Sequence, residues 1–152
     1  MDRTTNTPVV FLREVVGGRG VAIWIGAAEA NAIGLAIQGE EPPRPMTHDL
    51  LATTIRAQEG EVEQVGIVAM RNGTYFAEVR LRRADGETTT LDARPSDAIA
   101  LALRTGADIV AAASLLTEEG GAAPEAPEPL SDEELRDHLR RLGPEDFGRF
   151  VP

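Results

Sequence analysis

Asp92-Ala93-Arg94-Pro95-Ser96-Asp97-Ala98-Ile99-Ala100-Leu101-Ala102-Leu103-Arg104 joins polar chemistry directly to the apolar start of a helix. Pro95 steers Arg94 away from helical backbone and has φ preset for a first helical turn. Ser96 can cap free amides, and Asp97 suits the positive end of the helix dipole. The pattern predicts a helix beginning here, with Ile99, Leu101, Ala102 and Leu103 on buried faces and a stop at Gly106.

Arg44-Pro45-Met46-Thr47-His48-Asp49-Leu50-Leu51 repeats the device, again running from Arg-Pro through a hydroxyl residue and an Asp into a helix. Here Thr47 is the expected N-cap, Asp49 falls in the first turn, and Gly60 ends the segment. Two readings of such an entrance are open. It can be a rigid helix start whose Arg pairs with a nearby Asp. Alternatively, the two entrances converge on a site, where Asp49, Asp92 and Asp97 offer hard oxygen ligands for a divalent cation and Arg44 and Arg94 offer forks that match phosphate.

Both stretches resemble the two signature motifs of the bacterial bifunctional nuclease family. Ile23-Trp24-Ile25-Gly26-x-x-Glu29-Ala30-x-x-Ile33 is similar to the segment with which its members open, and Gly73-Thr74-Tyr75-Phe76-Ala77 to their central hairpin. The resemblance runs from about Val9 to Leu116 and implies a compact, often oligomeric α+β domain credited with metal-dependent cleavage of both DNA and RNA.

Composition is that of an ordinary globular chain: 152 residues, 42% hydrophobic and 26% charged. There is no cysteine, which removes disulfides, thiolate nucleophiles and Cys-based zinc sites. All 15 basic residues are arginine, so Schiff-base chemistry and a P-loop lysine are excluded. The three serines lie in no Gly-x-Ser-x-Gly elbow, which argues against Ser-His hydrolysis. No signal segment or membrane span is evident, and a cytoplasmic protein without membrane contact is expected. The net charge of −10 opposes nucleic-acid binding. Its distribution softens this: residues 1–116 hold 11 arginines against 15 carboxylates (−4), and residues 117–152 hold 4 against 10 (−6).

Along the chain, Pro8 to Val16 and Val21 to Ile25 read as strands joined by a glycine-rich turn, with Trp24 in the core. Gly26 to Gln38 reads as an Ala-rich helix with Ile33 and Ile37 four apart. It carries Glu29, which is either a solvated or Arg-paired carboxylate or a further metal ligand. Val62, Val65 and Ile67 suggest a strand, Arg71-Asn72-Gly73 a turn, and Tyr75, Ala77, Val79 and Leu81 the apolar face of the next strand. Arg80, Arg82 and nearby Arg83 form the best basic strip available, either a soluble face or a nucleic-acid contact. Thr88 to Leu91 makes a third strand after the Asp85-Gly86 turn, and Asp108 to Ala112 a short last one.

These readings combine into an α+β fold, a largely antiparallel sheet meander with about three helices packed against it and a short C-terminal helix. Residues 1–116 form the nuclease-like domain, 117–130 an acidic Pro/Ala/Gly linker, and 131–152 a helix and tail. In that tail Ser131 and Glu134 make a capping box, Leu135, Leu139 and Leu142 line one side, and Phe147 and Phe150 are candidate anchors.

The function expected is metal-dependent hydrolysis of DNA and RNA with little sequence specificity. Asp49, Asp92, Asp97 and Glu29 would hold Mg²⁺ or Mn²⁺. His48 and Asp97, with Arg44 and Arg94 on the phosphate, would form the catalytic group, and Thr47 and Ser96 would orient the ligands. The alternative is a non-catalytic oligomeric regulatory or interaction module, with these residues in a salt-bridge network and the acidic tail on a protein partner. Either way a homo-oligomer, dimer or higher, is expected.

Overall fold

A computed structural model describes residues 7–118; of the linker expected over 117–130 all but its first two residues, and the whole helix and tail expected over 131–152 with its aromatic anchors, lie outside the described residues. The element order is β1 (Val9–Arg13), β2 (Gly20–Trp24), α1 (Ala27–Gln38), α2 (Thr47–Ala57), β3 (Glu61–Arg71), β4 (Thr74–Arg82), β5 (Thr88–Ala93), α3 (Pro95–Thr105) and β6 (Asp108–Ala111). A short 3-10 turn, Ala113–Leu115, follows β6.

The fold is α+β, as the sequence pattern predicts, but the strands divide into two sheets. β1 and β2 form a two-stranded sheet, with a single bridge from Gly20 to Thr117, and the larger sheet has the order β5-β4-β3-β6. Asn72 and Gly73, at φ 50° and 76°, turn β3 into β4 within two residues. Positive φ at both positions matches the twist of the hairpin, which is why Asn-Gly is found there. β6 runs parallel to β3. A parallel return requires a crossover, and α3 supplies it, lying over the sheet between β5 and β6.

That position explains the composition of α3. It rests on β3 and β4 and also meets α1 and α2. Buried Ala98, Ala100 and Ala102 keep the layers close, while Ile99 and Leu101 fill the core with Val65, Ile67, Ala77 and Val79. Leu103, expected inside, is 38% exposed. Ile37 of α1 is likewise exposed, because that helix buries only Ala32 and Ile33. β1 ends at Arg13, short of the expected Val16, and Val15 and Val16 stand in solvent at the hairpin turn.

Cross-strand partners share a face. Val65 opposite Val79 and Ile67 opposite Ala77 face the helices, so Gln64 opposite Arg80 and Gly66 opposite Glu78 face away. Ile67 is fully buried. Ile67→Ala should destabilise the domain by about 3 kcal/mol, read from urea unfolding midpoints at unchanged m-value. A loss below about 1 kcal/mol would contradict this placement of the core.

Candidate functional site: two helix entrances that converge

Both entrances begin helices where the sequence puts them, with modified caps. Arg94 is the N-cap of α3 and Pro95 its first residue; Ser96 makes no capping hydrogen bond. Met46, not Thr47, is the N-cap of α2. Asp49 reaches back so that the Met46 amide donates to its Oδ2 at 2.8 Å, closing the first turn from the acidic side. Thr47 is exposed.

The entrances meet. His48 Nε2 and Asp97 Oδ1 are 3.1 Å apart, linking the first turns of α2 and α3 across 49 residues of sequence. The Arg94 guanidinium donates to Asp97 at 2.8 and 3.2 Å, and at 3.0 Å to Oε1 of Glu29 in the first turn of α1. Arg94 thus joins the starts of two helices, each with an acid in its positive end. The Arg94 side chain is 66% exposed and that of His48 only 12%. Burial pushes the Asp97 carboxyl up, but the hydrogen bonds and charges of Arg94 and His48 outweigh it and leave the group below the usual Asp range.

A second ion pair lies deeper. Arg104, in the last turn of α3, donates from Nε to Asp49 and spends its other nitrogens on the carbonyls of Ala100 (2.9 Å) and Ala32 (3.1 Å). Its side chain is 9% exposed. The hydrogen bond from Arg104, aided by the Met46 amide, lowers the pKa of Asp49. Arg104 belongs to the second signature motif, yet its role is not readable there, since its partners lie 55 and 72 residues away. A cationic residue in the last turn of an otherwise apolar helix was the available signal.

The other candidates are placed apart. Asp92 is opposite Glu78 on the face of the sheet turned away from the helices, so it does not join Asp97. Arg44 is exposed and has no ion pair among the described residues. Arg82 pairs with Glu61 and Glu63, and Arg83 with Asp85 and Glu87, which neutralises most of the basic strip; Arg80 alone of the three has no such partner among the described residues.

Donors for the expected Mg²⁺ or Mn²⁺ do not fit as arranged. Asp49, Asp97 and Glu29 are each engaged by arginine, and among the described residues no three His, Asp or Glu side chains gather to hold a metal ion. Nor is any described helix long and apolar enough to cross a membrane.

Fold and site together define a small α+β domain in which two Arg-Pro-hydroxyl-Asp helix starts close on one arginine, carboxylate and imidazole cluster. A sequence model of the bifunctional nuclease domain matches residues 10–123. The chain belongs to that family. Similar proteins from two strains of Mycobacterium tuberculosis, both described as uncharacterized, are each 39% identical over 151 residues, covering 99% of this chain and 87% of the relative.

Because the folded Asp49 and Asp97 carboxyls have lowered pKa values, their contribution to stability is complete above the unfolded Asp value of about 3.9. It is lost as pH falls through the lower folded values. Asp49→Asn should therefore flatten the acid limb of stability between about pH 5 and pH 2, measured by urea midpoints across that range. An acid limb as steep as the wild type's would show that Asp49 contributes nothing there.

Proposed function

We propose that this chain is a nuclease that hydrolyses phosphodiester bonds in DNA and RNA with little sequence specificity, at the surface where α2 and α3 begin. The observation that carries this reading is the His48–Asp97 contact between the two signature motifs in a member of the bifunctional nuclease domain family. Motifs far apart in sequence that place an imidazole against a carboxylate beside an exposed arginine suit acid–base work on a phosphate.

Asp97 orients the ring, as a carboxylate does behind any catalytic imidazole. With the Nε2 proton donated to Asp97, Nδ1 is the free base. In this scheme it takes a proton from the attacking water as the water oxygen bonds to phosphorus, and the resulting imidazolium returns a proton to the oxygen whose bond to phosphorus breaks. Arg94 neutralises the phosphate. Since the carboxylates do not form a ready cation site, these roles rest on side chains alone. Dependence on Mg²⁺ or Mn²⁺ is a separate proposal, read by adding EDTA.

The non-catalytic module is the second reading, favoured by the arginine partner on every acid of the cluster and by the net charge of −10. Exposure separates the two. Arg94 is too solvated for its pairs to contribute much stability, so Arg94→Ala should cost under about 1 kcal/mol. In a nuclease the same change should abolish most cleavage. DNA and RNA as substrates, a homo-oligomer, a tail-bound protein partner and a cytoplasmic place of work belong to the proposal on the same footing.

The test is cleavage of fluorescent single-stranded DNA and RNA by purified protein, with Mg²⁺, Mn²⁺ or EDTA. Asp97→Asn, His48→Ala and Arg94→Ala should each lower the rate by about 100-fold or more while remaining folded under the assay conditions, as checked by urea unfolding. Wild type and variants cleaving equally, or not at all, would remove the nuclease reading.

A further inference from the structure

A cleft of about 380 Å³ opens beside the His48–Asp97 pair, where the starts of α1 and α3 approach the β3–β4 turn. Its walls include Trp24, Glu29, Gly73, Tyr75, Arg94 and Ser96. Ser96 is the buried polar residue of the described core, 7% exposed, and its hydroxyl, not sealed from solvent, has no hydrogen-bond partner among the described residues. The indole Nε1 of Trp24 is buried without a partner among the described residues. A buried N–H left unpaired is costly, and groups of this kind are otherwise satisfied.

The remaining lining indicates the ligand. Trp24 and Tyr75 bring aromatic surface, and burial raises the Tyr75 pKa, holding the ring neutral. Glu29 is an acceptor whose position depends on Gly26: a Cβ there would collide with the Glu29 carboxylate. A phosphate would leave the aromatic surface unused and would meet the Glu29 charge. A flat, apolar-faced ring with donors and acceptors on its edge uses every part of the wall. Arg94 borders the cleft and touches Asp97, so the two sites are contiguous.

We propose that this cleft is a nucleobase subsite, which takes one unstacked base against Trp24 and Tyr75, with a donor edge toward Glu29 and an acceptor toward Ser96. The choice of ligand rests on the nucleolytic reading; the cleft and its unpaired donors do not. A base seated here would place its own phosphate at Arg94, which makes single-stranded regions, where bases are free to leave the stack, the preferred substrates.

Trp24 is the only tryptophan of the chain, so its fluorescence reports on this cleft alone. The full-length protein is titrated with GMP, whose base offers a donor edge, and with ribose 5-phosphate, which lacks a base. GMP should change Trp24 emission saturably and ribose 5-phosphate should not. Tyr75→Ala should weaken GMP binding by about 10-fold or more, as removal of a stacking ring does. Ser96→Ala should weaken it several-fold and serves in place of the first variant if that one does not fold. No saturable response to GMP, an equal response to ribose 5-phosphate, or unchanged binding in the folded variants would overturn the subsite. Saturable GMP binding in a protein that cuts neither DNA nor RNA would uphold the subsite and remove the nuclease reading instead.

Discussion

The ion pair of Arg104 and Asp49 holds the three helices of this domain together. α3 is covered by the sheet on one side and by α1 and α2 on others, so an arginine in its last turn is poorly hydrated, with 9% of its side chain exposed. A charge in that position must be paired and its donors satisfied, or it destabilises the fold. Asp49 supplies the countercharge, and the carbonyls of Ala100 and Ala32 take the remaining donors. One side chain thereby fixes α1, α2 and α3 relative to one another. Because Asp49 also closes the first turn of α2, the pair sets the position of His48, its neighbour in sequence.

The two ion pairs thus divide their labour. Arg104, 9% exposed, holds Asp49 between the helices, whereas Arg94, 66% exposed, stands at the surface beside Asp97 and His48. The division bears on the charge of the chain as well. A protein at −10 attracts phosphate poorly from a distance. Close contact can still be favourable where one solvated guanidinium stands beside an imidazole. On the proposed nuclease reading, weak long-range attraction with local complementarity would suit transient engagement of many sequences better than tight binding to one.

Much of this was legible in the chain because the deciding interactions are local. Pro95, Gly106 and Asn72-Gly73 act on their own backbone, and the structure places the third helix and the central hairpin where those residues dictate. The convergence of the entrances was readable as a possibility from their duplication. The side of the sheet that carries Asp92 was not, because it is set by the register of β5 on β4, which puts Asp92 opposite Glu78. A slip of one residue exchanges faces. The separation of the β1–β2 hairpin from the main sheet, the exposure of Ile37 and Leu103, and the partners of Arg104 depend likewise on contacts that local patterns do not encode.

Arg104 and Asp49 act as one unit holding the helices together, and a double-mutant cycle with Asp49→Asn, Arg104→Met and the pair of changes, followed by urea unfolding, measures their coupling. Each single change should cost roughly 2 kcal/mol or more, since it strands a partner in a poorly hydrated place, and the double variant should recover at least about 1 kcal/mol of the sum. Strictly additive losses would mean that the two side chains stabilise the protein independently, and the helix arrangement would need another explanation.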